Sequence, residues 1–344
     1  MNFAAHVKTL AHLSAALVVA GMATGVAAPA IAATLSGAGS TLVAPLEADW
    51  NTGWHSATGN SVSYSAVGSA DGIAAISSRL VDFGASDAPL TAAQEAACKG
   101  CVQIPWALSA TAVGFHLKGI STLKLTGKVL AEIYLGQITN WDNSQIRALN
   151  AGVKLPDLHI DVIFRSDGSG DTYAFTQYLS DISHTWAHKA GYGTAVSFPT
   201  GVGGKGNGGV TAILTNTNGG IAYIAASYLL QFGGLGAAEI ANAAGNFEYP
   251  NLKNITNAAD SVHTTPASNA LSIVDPPKSA KTAYPISTFT YAVVPTSGNA
   301  QASLLKSFIN FDITTGQSFG PKLDFVPLPK VVAKADKSLV GRLS

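Results

Sequence analysis

Charge is what this chain has least of. Only 12% of its 344 residues are Asp, Glu, Lys or Arg, and the two signs balance to a formal net charge of zero. A neutral chain with no basic run gives nucleic acid nothing to hold. Cysteine is nearly missing as well: Cys98 and Cys101 are the only two. A thiol oxidoreductase would set such a C-x-x-C pair at the start of a helix after a buried strand, whereas this pair follows the helix-like run Thr91 to Ala97. It reads as a small disulfide of an exported protein. Beyond the N-terminus no stretch is long or apolar enough to cross a membrane. No G-x-S-x-G elbow, H-E-x-x-H pair or Ser, His and Asp set suggests a hydrolase, and no cofactor is expected.

What is present begins with Lys8, an uncharged apolar run from Leu13 to Ala23, and Ala30-Ile31-Ala32 as a small-x-small cleavage site. That is a secretory signal over residues 1–32, with no cysteine at the cleavage point to make a lipoprotein. A soluble periplasmic or released product is expected. The remaining chain is longer than one core usually covers, which favours two lobes.

Strand-like and helix-like runs then alternate, an α/β pattern. Val62 to Val67 alternates as a strand, and Ile104-Pro105 with Ala112 to Leu117 reads as another. Phe175, Tyr178, Leu179, Ile182 and Trp186 lie at helical spacing in one run that ends by Gly191. From Gly233 to Pro285 the pattern weakens into turns and short segments.

Three strand ends run through small residues into a helix: Ser40-Thr41, Ser69, and Arg165-Ser166-Asp167-Gly168-Ser169-Gly170-Asp171-Thr172. Each leaves free backbone N–H groups at the positive end of a helix, the makings of an anion site. Arg165 adds a planar fork of donors. One such segment alone could equally be a capped turn, but three fit a small anion held between two lobes. Asp87 is the discriminating residue. A carboxylate facing an anion is repulsive unless the ligand donates a proton to it, as phosphate can and sulfate cannot. Its other reading is a turn cap before Pro89.

Two patterns lead elsewhere and are set aside. Gly201-x-Gly203-x-x-Gly206 has dinucleotide spacing, but Pro199 spoils the strand before it and no acidic residue stands some 20 positions on. His184 and His188 share a helix face as metal ligands can, yet they lack the Glu of H-E-x-x-H and read as solvated histidines near a helix C-terminus, and no metal is expected.

The chain resembles the periplasmic phosphate-binding proteins of phosphate-specific ABC importers. The resemblance rests on Ser36-Gly37-Ala38-Gly39-Ser40-Thr41, Val67-Gly68-Ser69, Val81-Asp82-Phe83-Gly84-Ala85-Ser86-Asp87-Ala88-Pro89-Leu90, Ile133-Tyr134-Leu135-Gly136-Gln137-Ile138, Arg165 to Gly170, and Gly203-Gly204-Lys205-Gly206-Asn207, in family order. It implies a periplasmic-binding-protein-like fold of type II, with two α/β lobes around a ligand cleft. Lobe I would take residues 33–108 plus 288–344, and lobe II residues 109–287. It also implies inorganic phosphate as ligand, a membrane ABC permease as partner, a monomer, and no catalysis. Carried over residue by residue, the ligand contacts are Thr41, the backbone of Leu42, Ser69, Asp87 as proton acceptor, Arg165, Ser169, Gly170 and Asp171. Leu42 stands where the family often has Phe, which matters little because only its N–H is needed. Asp171 stands where the family usually has Thr. Its N–H is expected to bind, its side chain to cap the helix or favour the phosphate monoanion, and Thr172 to offer a hydroxyl in its place. Arsenate receptors and secreted phosphate-ester hydrolases are the alternative readings.

Overall fold

The computed structural model describes residues 32–231 and 234–344, so the expected secretory signal lies, but for its last residue, outside the described residues. In chain order the first part contains β1 (Thr34–Gly39), α1 (Ala44–Thr58), β2 (Ser61–Ser65), α2 (Ser69–Ser77), β3 (Phe83–Ser86), α3 (Ala92–Cys98) and β4 (Cys101–Phe115). Next come β5 (Thr122–Leu125), α4 (Gly127–Tyr134), α5 (Ser144–Leu149), β6 (Asp161–Arg165), α6 (Gly170–Ile182), α7 (His184–Lys189), β7 (Val202–Gly204), α8 (Gly206–Asn216) and β8 (Gly220–Ala225). The same stretch continues with α9 (Ala226–Gln231), β9 (Gly236–Ala241), β10 (Phe247–Glu248) and α10 (Leu252–Ala259). The chain closes with β11 (Ser287–Pro295), α11 (Ala302–Asp312), a 3-10 segment Thr315–Leu323 and α12 (Lys330–Gly341).

One strand carries the architecture. Along β4, Cys101 to Ala110 pair antiparallel with β11, and Thr111 to Phe115 pair with β8. On the β11 side β3, β1 and β2 continue one wing, and on the β8 side β6 and β7 continue the other, with β9 linking β5 and β10 to β4. β4 therefore changes partners between Ala110 and Thr111. The strand expected through Ile104-Pro105 and Ala112 to Leu117 is this one, though it begins at Cys101 and ends at Phe115. It runs through Pro105 because the register shifts between Thr290 and Tyr291 of β11, an irregularity that accommodates a residue with no N–H to donate.

Each wing packs its helices on aromatic side chains. Trp50, Phe83, Trp106 and Phe308 pack at tilted and edge-on angles in the first, and in the second Phe175 and Phe198 stack on Tyr223 with Tyr134 tilted against Phe175. The run expected to form one helix up to Gly191 is broken at Ser183, whose hydroxyl accepts from Trp186 N and so starts α7 afresh. His184 and His188 lie on α7 and are exposed. The weak stretch before Pro285 holds β9, β10 and α10. Its short elements gave alternation too little length to register. Cys98 and Cys101 form a disulfide beside Arg79, whose guanidinium donates to Cys98 O at 2.8 Å and ties that turn to the end of α2. Among the described residues no helix is long and apolar enough to cross a membrane.

Glu47 of α1 and Asp312 of α11 are buried, and Glu47 Oε1 and both Asp312 oxygens have no hydrogen-bond partner. Burial pushes the Glu47 carboxyl up to about 8, and it pushes Asp312 well above the usual range with Glu47 adding to the effect. A carboxyl whose folded value is raised adds stability while protonated, and that stability is lost as pH rises through the folded value. Thermal melts should therefore show the midpoint falling as pH rises from about 5, near the unfolded carboxyl value, to about 8. Glu47→Gln, of the same shape but uncharged, should flatten that fall, and an equally steep fall in the variant would exclude this origin.

Candidate functional site

Four helix N-termini meet between the two wings. They belong to α1, preceded by Ser40, Thr41 and Leu42, to α2 at Ser69, to α6 at Ser169 and Gly170, and to α8 at Gly206 and Asn207. Their junction is direct: Ala70 N donates to Gly168 O at 3.1 Å, Gly170 N to Ser69 Oγ at 3.1 Å, and Asn207 N to Thr41 Oγ1 at 3.2 Å. So the segments at Ser40-Thr41, Ser69 and Ser169-Gly170 do come together. The fourth, in the glycine-rich run that mimicked a dinucleotide fingerprint, joins them.

Each side chain here is fixed by its place at a strand end. Asp87 follows β3 and is 2% exposed. Ser40 Oγ donates to its Oδ1 at 2.5 Å and Ser69 Oγ to its Oδ2 at 3.3 Å, while Thr288 Oγ1 donates to its carbonyl. Ser40 Oγ also accepts from Leu42 N and Val43 N, so one hydroxyl both caps α1 and holds Asp87. Arg165 ends β6, where its N–H donates to the Tyr223 hydroxyl. Its Nε and Nη2 form a fork onto Asp167, at 2.8 and 2.5 Å, and Nη1 reaches Asp171 Oδ2 at 3.0 Å. Of five N–H donors this leaves one on each Nη.

Asp171, wholly buried in the first turn of α6, does not face the Ser169 and Gly170 N–H groups with its carboxylate. Thr111 Oγ1 donates to Oδ1 at 2.7 Å, and Arg165 Nη1 and Asn207 Nδ2 both donate to Oδ2, the latter at 2.7 Å. It is Ser169 Oγ, not Asp171, that caps the helix, accepting from Asp171 N and Thr172 N. The Thr172 hydroxyl pairs with Tyr223 at 2.7 Å rather than standing in for the hydroxyl a threonine at 171 would bring. Ser40 was expected only as part of the Ser40-Thr41 segment, not as the partner of Asp87, and Thr111, Asn207 and Tyr223 were not among the site residues expected from sequence. Asn207 lay inside a quoted motif, but nothing in the sequence pairs Thr111 or Tyr223 with Asp171 or Arg165.

The charges follow from this packing. Burial raises the Asp87 carboxyl, the Asp171 charge raises it further, and Ser40 and Arg165 oppose the shift only in part. Asp171 is likewise raised by burial against the pull of Arg165, Thr111 and Asn207. At Asp167 burial also pushes up, but the Arg165 fork and the Gly206 N–H outweigh it and its carboxyl lies below the usual range. One guanidinium thus serves three carboxyls. Any anion here meets oriented N–H and O–H dipoles and little net positive charge. Among the described residues no group of three or more His, Cys, Asp or Glu could hold a metal.

Residues 24–314 match the model of the PBP superfamily domain. The phosphate-binding protein PstS of Xylella fastidiosa is 36% identical over 304 residues, covering 87% of this chain and 83% of that one. The PstS of Pasteurella multocida is 35% identical and covers 88% of both chains. The chain belongs to the PstS family. Among solved structures, a high-affinity periplasmic phosphate-binding protein with bound phosphate superposes at a TM-score of 0.73 with 21% identity, covering 89% of this chain and 93% of that one. A phosphate-binding protein from Stenotrophomonas maltophilia reaches 0.66 at 17% identity, with coverage of 89% and 93%. These likenesses establish the two-lobed α/β fold in this PstS-family chain.

The wings meet through glycine. A Cβ on Gly170 would overlap Asp87, lying 2.7 Å from its Cα, and one on Gly168 would overlap Ala70. Gly170→Ala is expected to leave the fold intact, since Ala favours the helix, but to hold the wings apart. Small-angle scattering checks this: a larger radius of gyration than the unaltered protein is the expected result, and identical curves would refute it.

Proposed function

We propose that this protein is a receptor for inorganic phosphate, which it binds in the periplasm and hands to the membrane permease of an ABC importer. The observation that carries the reading is Asp87, a buried carboxylate set among four helix N-termini and one arginine. A site built only to attract anions has no use for such a group, whereas a site that selects an anion carrying a proton needs it. The named PstS relatives support the same ligand.

In this reading phosphate is held by the Thr41 hydroxyl, the Leu42 N–H, the Ser69 hydroxyl, the Ser169 hydroxyl and the Gly170 and Asp171 N–H groups. It replaces the serine oxygens that the three N–H groups face and the Asp87 oxygen that Ser69 faces without it. Arg165 gives the two N–H donors that Asp167 and Asp171 leave over, and Asp87 accepts the phosphate proton. The partner change in β4 between Ala110 and Thr111 supports lobes of 33–108 plus 288–344 and 109–287, with phosphate in the cleft between them. The protein works as a monomer without cofactor, metal or catalysis, is carried across the inner membrane by its N-terminal signal, and is not a lipoprotein.

Asp171 gives the site a character of its own. Its oxygens are occupied by three donors, so it takes no proton from the ligand, but it adds a negative charge beside it. That charge favours the phosphate monoanion over the dianion. As pH rises, free phosphate loses the proton that the complex must keep, so binding weakens.

Calorimetry with phosphate, sulfate and arsenate tests the reading. Phosphate should bind and sulfate should not at neutral pH, and Asp87→Asn should bring the two together. A protein that prefers arsenate, or turnover of a chromogenic phosphate ester, would overturn the assignment. Phosphate affinity should fall as pH rises from 5 to 8, and Asp171→Thr should flatten the profile. A flat profile in both proteins would refute the role given to Asp171.

A further inference from the structure

The amide of Asn207 is tied on every side. Its Oδ1 accepts from Ala225 N at 2.8 Å, which fixes the orientation of the group, because an N–H donor can face only the oxygen. Nδ2 must then use its two hydrogens on Thr41 Oγ1, at 2.9 Å, and on Asp171 Oδ2, at 2.7 Å. Ala225 is the register partner of Thr111 on β4, and Thr111 holds the other Asp171 oxygen. Thr41 belongs to the wing of β1, and Asn207, Asp171 and Ala225 to the wing of β6 and β8.

One consequence concerns the Thr41 hydroxyl. Its oxygen accepts from both Asn207 N and Asn207 Nδ2, so its lone pairs are taken and its own hydrogen must point elsewhere. With the anion in the cleft, that hydrogen has one acceptor to find. A free hydroxyl could turn either way, whereas this one is committed to donate.

We propose that Asn207 is a positioning residue that closes the site on phosphate: a single amide commits the Thr41 hydroxyl to the anion, fixes the Asp171 carboxylate and ties the two wings together. The inference rests on the phosphate reading above and goes beyond it by assigning the closed state to a residue that does not itself touch the ligand. Its signature is kinetic. Phosphate enters an open cleft whose walls are unchanged, so association is spared, while release must break the Thr41 to Asn207 contacts, so dissociation bears the effect.

Stopped-flow measurement of phosphate association and dissociation on the full chain tests it with Asn207→Asp. The new carboxylate still accepts from Ala225 N but turns an acceptor toward Thr41 and Asp171. The Thr41 hydroxyl is then drawn away from the anion. Dissociation should accelerate about tenfold or more, the scale of one lost hydrogen bond to a charged group, with association changed by less than about threefold. The ratio of variant to unaltered dissociation rates should shrink from pH 8 to pH 5, as protonation restores a donor. An unchanged dissociation rate, an equal loss in association, or a ratio indifferent to pH would overturn the proposal. Should the charged variant not fold, Asn207→Ser replaces it: the shorter side chain loses both amide contacts, and dissociation must rise at every pH. Thr211→Val, which removes a hydroxyl bound to the Asn207 carbonyl and leaves the amide untouched, should keep both rates. If the unaltered protein binds no phosphate in calorimetry, the functional reading fails instead. The latch is then decided by scattering, where Asn207→Asp must be more open than the unaltered protein and an identical curve refutes it.

Discussion

The constraint on which this structure turns is a buried polar cluster with more acid than base in its walls. Arg165 faces Asp167 and Asp171 with three of its five N–H groups, and Asp87 stands across the cleft with no cation of its own. Charges taken out of water in this proportion are costly unless every oxygen finds a donor. Here each does. Asp87 is served by Ser40 and Ser69, Asp167 by Arg165 and Gly206 N, and Asp171 by Thr111, Arg165 and Asn207. Recognition has to come from placed dipoles, because net positive charge is not available to do it.

Placement is what the fold provides. A continuous β4 that changes partner from β11 to β8 sets two wings edge to edge, and parallel strands at the centre of each wing end at the same seam. Helices entered from those strand ends therefore aim their N-termini at one spot. Small residues at the seam let backbone meet backbone, as where Ala70 N donates to Gly168 O. Side chains of ordinary size at Gly168 or Gly170 would hold the walls apart.

Much of this was legible in the sequence, and the gaps have physical reasons. The turns at Ser40-Thr41, Ser69 and Ser169-Gly170 showed because small residues between a strand and a helix are a local signature. Asp87 showed because a carboxylate among anion-binding turns demands explanation. The strand through Pro105 showed, but its change of partner between Ala110 and Thr111 did not, since it depends on β8 and β11, which lie far along the chain. Thr111 and Tyr223 did not show either, because each looks like an ordinary strand residue until the wings are assembled. The α8 terminus did not show because glycines are poor helix formers: the run reads as a turn leading to a helix at Val210, whereas α8 starts at Gly206 and sets Asn207 against Thr41.

Asp171 shows how one residue can alter a site through the side chains it holds. A threonine there would offer a hydroxyl to the anion. The aspartate instead turns its oxygens toward Thr111 on β4, Asn207 on α8 and Arg165 on β6, adding a side-chain junction where these three elements converge. The exchange removes a donor from the cleft and installs a fixed scaffold behind it. Because that scaffold includes the arginine, part of the guanidinium is occupied before any anion arrives. What remains is oriented by its two carboxylate partners, so the loss in attraction comes with a gain in preorganisation. The same carboxylate also raises the Asp87 carboxyl across the cleft, which links the proton acceptor in one wing to the charge state of the other. The two walls of the site are therefore linked electrostatically: a change of charge at Asp171 is felt at Asp87.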